Sequence, residues 1–184
     1  MISEAKSQAK VKSLDITYAV SEVEHLPYED ESFDAVTVGT AFHWFVTEAA
    51  LNEIKRVMKK NGLLFVYWTL TTKDVPEEDA IPSALFKEFN WEKVPSELRD
   101  LEYISSFFME QGMQNISTAR LPFTHNDSVE DQVGLMKTAS SYEMLSEVDK
   151  KRFIEAIQVA LTKQLGKRPY FIYEEEIQVC YGFK

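Results

Sequence analysis

The feature that most constrains the fold is a strand–helix–strand pattern between Ala35 and Trp68. Ala35-Val36-Thr37-Val38-Gly39 is a short β-branched run, the composition of a strand that can be buried on both faces. Thr47 then offers a hydroxyl to cap a helix whose apolar residues Leu51, Ile54, Val57 and Met58 fall on one stripe. Lys59 and Lys60 suit its C-terminal turn, and Asn61-Gly62 supplies a left-handed stop. The continuous apolar run Leu63-Leu-Phe-Val-Tyr-Trp68 reads as a central strand. Strand, amphipathic helix and strand make one βαβ unit, which predicts a right-handed crossover and a parallel sheet.

The flanking sequence extends this α/β reading. Residues 3–12 have helix-forming composition but little apolar face, and predict a weakly anchored helix. Leu14, Ile16, Tyr18 and Val20 alternate with other residues, the period of a strand over 14–21. Beyond Pro76, one helix carries Ile81, Leu85, Phe86 and Phe89. A second, from about Pro95 to Gln111, carries Leu98, Leu101, Ile104, Phe107 and Phe108 and ends at Gly112. Residues 116–123 read as a strand. Ser128-Val-Glu-Asp131 opens a helix with a capping-box-like start. Ser146 opens another that runs to Leu165 through Phe153, Ile154, Ile157 and Leu161. Ile177, Val179, Tyr181 and Phe183 alternate with Gln178, Cys180 and Gly182, an antiparallel-type terminal strand.

Composition narrows the function. The 184 residues carry a formal net charge of -10, the wrong sign for a protein that neutralises a phosphate backbone, so no nucleic-acid partner is expected. One cysteine, Cys180, excludes an internal disulfide and a cysteine metal cluster, and suits a reducing cytoplasm. The three histidines have no paired metal-ligand spacing, and no metal is expected. No apolar run reaches membrane-spanning length. His25 and His125 read as surface residues, and Glu174-Glu175-Glu176 as a solvated charge run beside the last strand.

The chemistry-bearing stretch lies around the first strand of the βαβ unit. Glu22-Val23 is followed by Glu24-His25-Leu26-Pro27-Tyr28, then by Ser32-Phe33-Asp34, the strand, and Thr40-Ala41-Phe42-His43-Trp44-Phe45. This order resembles the second half of the cofactor site of class I S-adenosylmethionine-dependent methyltransferases, in particular the methyltransferase type 11, or trans-aconitate-methyltransferase-like, group. The resemblance runs over nearly the whole chain. It implies a Rossmann-like α/β sheet, S-adenosylmethionine as cofactor and a small-molecule acceptor. It also implies helical insertions, here about 76–98 and 128–166, that form a lid over the acceptor.

By the same resemblance, Glu22 accepts from the adenine amino group and the Val23 N–H meets a ring nitrogen, a donor–acceptor pair matched to the adenine edge. Taken alone, Glu22 reads as a solvated acid at a strand end; the Leu26-Pro27-Tyr28 that follows favours the adenine role. Leu26-Pro27 and Phe33-Asp34 read as scaffold: a fixed turn, a core aromatic, and an acid that satisfies backbone donors at the strand entry. Thr40, Ala41, Phe42, His43 and Trp44 follow the end of a strand, where open α/β sheets bind ligands, and the resemblance places them along the methionine part of the cofactor and the acceptor floor. His43 orients an acceptor or shapes the loop rather than serving as general base, and Trp44 makes an aromatic wall. Trp68 has two readings, pocket wall or plain core. Ser140-Ser141-Tyr142 resembles the family's lid segment, so Ser141 and Tyr142 join His43 and Trp68 as expected acceptor contacts. No residue is assigned a catalytic proton transfer.

The family's Gly-rich first turn has no counterpart here. The six glycines, Gly39, Gly62, Gly112, Gly134, Gly166 and Gly182, form no cluster, and none precedes Glu22. Met1 stands where the family is already past its second strand. The expectation is an incomplete Rossmann-like sheet, with a truncated methyltransferase, a strand-exchanging chain or a non-catalytic relative as its three explanations. The family's strand order, 3-2-1-4-5-7-6, leaves Val36-Thr37-Val38 as an open edge. Such an edge predicts a homodimer or strand-exchanged oligomer, with residues 1–22 the most mobile or exchanged. Cofactor affinity is expected to be weak or absent, and an interaction protein derived from a methyltransferase is the alternative to an enzyme.

Overall fold

The computed structural model describes residues 2–71, 83–91, 98 and 100–184. Along them run α1 (Ile2–Val11), β1 (Phe33–Gly39), a 3-10 turn (Phe42–Trp44), α2 (Glu48–Val57) and β2 (Met58–Thr71). These are followed by α3 (Ser83–Glu88), α4 (Leu101–Glu110), β3 (Gln114–Asp127), α5 (Val129–Lys137), α6 (Ser140–Glu143), α7 (Glu147–Leu165) and β4 (Phe171–Phe183). The expected positions of Pro76, Ile81 and Pro95 lie outside the described residues. No helix among the described residues is long and apolar enough to cross a membrane, and no cluster among them could hold a metal ion.

The four strands form one sheet in the order β1-β2-β4-β3, the order of the 4-5-7-6 portion of the family's sheet. Its last two pairings are antiparallel. Lys184 N donates to Gly62 O at 3.0 Å and Phe65 stacks on Tyr181, so β4 descends as β2 ascends. Gly182 meets Ile116, Arg120 pairs with Glu176, and His125 meets Tyr173, which sets β4 against β3 in the same sense. β4 is thus an inner strand, and it is buried on both faces at Gln178, Val179 and Cys180.

The chain divides into two compact units. The first comprises Met1–Val66, Glu102–Ser117 and Cys180–Lys184. Here Thr47 caps α2, its hydroxyl accepting from Ala50 N at 3.2 Å, a contact worth about 1 kcal/mol. Leu51, Ile54 and Val57 are essentially fully buried, each stabilising the fold by roughly 1.5–3 kcal/mol. Ile104 and Phe108 of α4 are buried as well. The second unit comprises Tyr67–Leu101 and Thr118–Val179. Its core joins Phe89, Val129, Val133, Phe153, Ile157, Leu161 and Phe171, with α3 and α5 packed on α7. The capping box at the start of α5 is complete: Ser128 and Asp131 satisfy each other's backbone N–H. Ser146 caps α7 from Asp149 N.

Several expectations change. No strand forms at 14–21. Alternation supplies a strand's side-chain pattern, but a strand exists only by pairing its backbone, and among the described residues no strand lies on the outer side of β1. Leu14, Ile16 and Val20 are 53%, 49% and 87% exposed, so the segment buries little. β1 is not buried on both faces: Val38 is buried and Val36 half-buried, whereas Ala35 and Thr37 are exposed. Only the face carrying Val36 and Val38 is covered. α2 ends at Val57, earlier than its basic residues suggested, and Met58 is already extended. Lys59 and Lys60 belong to β2, where Lys59 Nζ donates to Asp34 Oδ1 at 2.8 Å. Asn61 does take the left-handed conformation, φ 61°, but as a kink within β2. β3 extends past both ends of the expected 116–123 strand.

Candidate cofactor site

The first unit carries two turns of interest. The first is Ser21–His25. The Glu22 carbonyl accepts from His25 N at 3.2 Å and from the Ser21 hydroxyl at 2.8 Å, and that hydroxyl also donates to His25 O at 2.6 Å. The turn is therefore closed by its own backbone and one serine. It leaves the Glu22 side chain exposed and Val23 half-buried.

The chain that leaves this turn is held by α2. Leu26 N donates to Glu53 Oε1 at 2.8 Å. Arg56 then donates to Leu26 O at 3.1 Å, to Tyr28 O at 2.8 Å and to Asp30 Oδ1 at 2.7 Å. It also forms a two-pronged ion pair with Glu53, at 2.7 and 2.8 Å. The Arg56 guanidinium holds the Glu53 carboxyl down at about 2, with the Leu26 N–H adding to the effect. Sequence reading missed both residues. The available signal was Glu53-Ile-Lys-Arg56, an acid and a base one turn apart on the polar side of a helix read only for its apolar stripe.

The second turn follows β1. Thr40 adopts φ 50°, left-handed for a β-branched residue, a strain of about 1–3 kcal/mol that concentrates at ligand clamps and switches. Ala41 leads into the 3-10 turn. Phe42 is 2% exposed and anchors it, edge-on to Phe45 and Phe108 at 5.5 and 5.6 Å. His43 is buried beside Trp44, ring centroids 5.0 Å apart, and Trp44 itself is 58% exposed. The indole is thus an open aromatic face rather than a packed one. The scaffold residues also differ from expectation. Asp34 pairs chiefly with Lys59 and accepts from its own backbone N–H besides, and Phe33 is half-buried, edge-on to Tyr28 at 4.9 Å.

The remaining expected contacts lie in the second unit. Trp68 is 4% exposed, and its Nε1 has no hydrogen-bond partner among the described residues. Ser141 and Tyr142 sit on α6, half-buried; Tyr142 packs toward Phe153 with Lys150 over its ring. His125 is not a bare surface residue, since its ring meets Phe123 and Tyr173. Glu176 is drawn in by Arg120 at 2.9 Å and by Gln178. An open groove of about 990 Å³ runs between α3 and α7, lined by Leu85, Phe89, Ala156, Val159 and Ala160 and flanked by Arg152 and Glu88. It contains none of the expected site residues.

Comparison with known proteins agrees with this picture. Residues 1–66 match a methyltransferase domain of the type 11 family. The chain is 31% identical over 143 residues to the uncharacterized methyltransferase C25B8.09 of Schizosaccharomyces pombe, covering 78% of this chain and 55% of that protein. It is 28% identical over 165 residues to the methyltransferase-like C25B8.10 of the same yeast, covering 85% and 58%. The chain thus spans a little over half the length of these relatives. Among solved structures, MccD aligns with 98% of this chain and 73% of its own at a TM-score of 0.53 and 20% identity. YcgJ of Bacillus subtilis aligns with 100% and 78% at 0.53 and 18%. The domain over its first 66 residues, the yeast methyltransferases along most of its length and its mixed α/β fold together place the chain in the class I methyltransferase family.

Proposed function

We propose that this chain serves S-adenosylmethionine-dependent methyl transfer to a small-molecule acceptor, and that it carries the adenine and acceptor sides of the site. The observation that supports this reading is the succession of two turns within one unit. An exposed acid sits at Glu22, an open indole follows the end of β1 at Trp44, and both fall in the stretch that matches the methyltransferase domain. Glu22 would accept from the adenine amino group and the Val23 N–H would donate to the ring. Thr40, Ala41 and Phe42 would border the cofactor, Trp44 would flank it, and His43 would contact the acceptor.

These residues fit the adenosyl end. For the amino-acid end the chain offers no Gly-rich turn, and each charge-assisted hydrogen bond missing there is worth about 1.5–3 kcal/mol. Affinity is accordingly expected to be weak. The bound cofactor supplies an activated methyl group, whose bond to sulfur breaks as its bond to the acceptor forms. The chain's residues contribute approach geometry and exclusion of water, effects that can reach roughly 7–11 kcal/mol, so no strong general base is required. α3 and the helices α5 to α7 are the described parts of the lid insertions. A single, buried cysteine suits a reducing cytoplasm.

Calorimetric titration with S-adenosylhomocysteine to millimolar concentration tests this reading. Saturable one-site heat whose affinity falls markedly in Glu22→Ala supports it; affinity unchanged by that substitution contradicts it. A second reading, a non-catalytic interaction protein, is favoured by the edge position of β1 and by the exposure of Leu14, Ile16 and Val20. Through that edge the chain would form a homodimer or strand-exchanged oligomer, and light scattering that shows a dilution-resistant monomer would remove this reading.

A further inference from the structure

We infer that Glu53 and Arg56 are positioning residues for adenine recognition: from α2 they fix the 26–30 loop and, through Leu26, the Glu22–His25 turn that reads the adenine edge. This rests on the adenine role proposed for Glu22 and Val23.

The geometry is unusually one-sided. Five groups of one short loop and its helix converge on a single guanidinium: the carbonyls of Leu26 and Tyr28, the Asp30 carboxylate and both oxygens of Glu53. A planar fork with five N–H donors can serve such a set, and a lysine, with a compact ammonium, cannot match it. Glu53 does two jobs. It orients Arg56 and takes the Leu26 N–H at 2.8 Å. Leu26 directly follows His25, whose N–H and C=O close the turn on Glu22 and Ser21. A shift of Leu26 is therefore passed along one peptide bond to the residue that sets the Glu22 carbonyl. Tyr28 N in turn donates to Leu26 O at 2.8 Å, and Glu31 N donates to Arg56 O at 3.0 Å, so the loop is tied to the helix at both ends.

A consequence concerns which backbone groups read the base. The Leu26 N–H is committed to Glu53 and the His25 N–H to Glu22, so the donor to the adenine ring falls to Val23. Recognition of the base then depends on two residues that never touch it.

The test is a double-mutant cycle on the full chain, read by amide NMR during titration with S-adenosylhomocysteine to millimolar concentration. The variants are Arg56→Lys, Glu22→Ala and the pair. Amide hydrogen exchange at Leu26 and Tyr28 without ligand reports the loop itself. Arg56→Lys is expected to speed exchange at Leu26 and to weaken ligand binding roughly tenfold. In the Glu22→Ala background it is expected to cost almost nothing further, because the clamp acts through that contact. A purely structural role predicts additive losses. Asp30→Asn, on an exposed side chain, is the milder variant should Arg56→Lys unfold; it is expected to weaken binding by a smaller factor in the same non-additive way.

Ligand binding unchanged by Arg56→Lys while Glu22→Ala weakens it overturns the inference and leaves the adenine reading intact, as do additive losses. Binding indifferent to Glu22→Ala overturns both, and the exchange rates then show whether α2 orders the loop at all.

Discussion

Truncating Phe42 tests whether the turn carrying His43 and Trp44 is held by its aromatic anchor. Phe42 is 2% exposed, edge-on to Phe45 and Phe108 and within 6.4 Å of Phe107. Replacing a buried phenylalanine with alanine costs about 3–5 kcal/mol, the sum of lost transfer energy and the cavity left behind. The two edge-to-face pairs contribute about 0.5–1.5 kcal/mol each beyond area burial. Phe42→Leu keeps most of the apolar volume and loses chiefly those ring geometries, so it is expected to cost about 1–2 kcal/mol. Urea unfolding followed by circular dichroism gives the difference between the two variants. Exchange of the Phe45 amide, which donates to Phe42 O at 3.0 Å, reports the turn locally. A loss below about 1 kcal/mol for Phe42→Ala, or equal losses for the two variants, would refute the anchoring role.

Three further outcomes follow from the geometry. A Cβ at Gly62 would stand 2.8 Å from Lys59 O and 3.3 Å from Asp34 O, both backbone, so Gly62→Ala is expected to lower the urea midpoint by the equivalent of about 1–3 kcal/mol; an unchanged midpoint contradicts the close approach. Because the Glu53 pKa is lowered to about 2, its ion pair adds stability above the ordinary carboxyl value, and that stability is lost as the pH falls from about 4.5 toward about 2. Glu53→Gln should flatten the pH dependence in that window, and a carboxyl carbon shift that titrates at the ordinary value would refute the pairing. Burial pushes the Cys180 thiol up to about 12, so thiol reagents at pH 8 should label it only after unfolding; rapid labelling of the native chain contradicts its burial.

Where the sequence could be read well, one local physical cause sufficed. The caps at Thr47, Ser128 and Ser146 depend on a hydroxyl and the next three residues, and each forms as expected. The apolar stripes of α2 and α7 are buried because 3.6-residue spacing allows only one face to turn inward. Misreadings arose where the outcome depends on a partner distant in sequence. The alternation at 14–21 is a strand pattern without a neighbour. Ile177 and Val179 suggest a one-faced terminal strand, whereas β4 is inserted between β2 and β3 and buries Gln178 and Cys180 too. Asp34 finds Lys59 across 25 residues, and Arg56 finds Tyr28 across 28, contacts that no spacing rule announces. For the site, the residue types at 22–23 and 40–44 were legible, but the clamp that fixes the loop between them was not.

The most direct test of the account is amide shift mapping of the full chain during titration with S-adenosylhomocysteine. The account predicts fast-exchange shifts concentrated at Glu22, Val23 and Thr40–Trp44, with saturation that moves to markedly higher ligand concentration in Glu22→Ala. Shifts confined to the α3–α7 groove, or none at all, would contradict it.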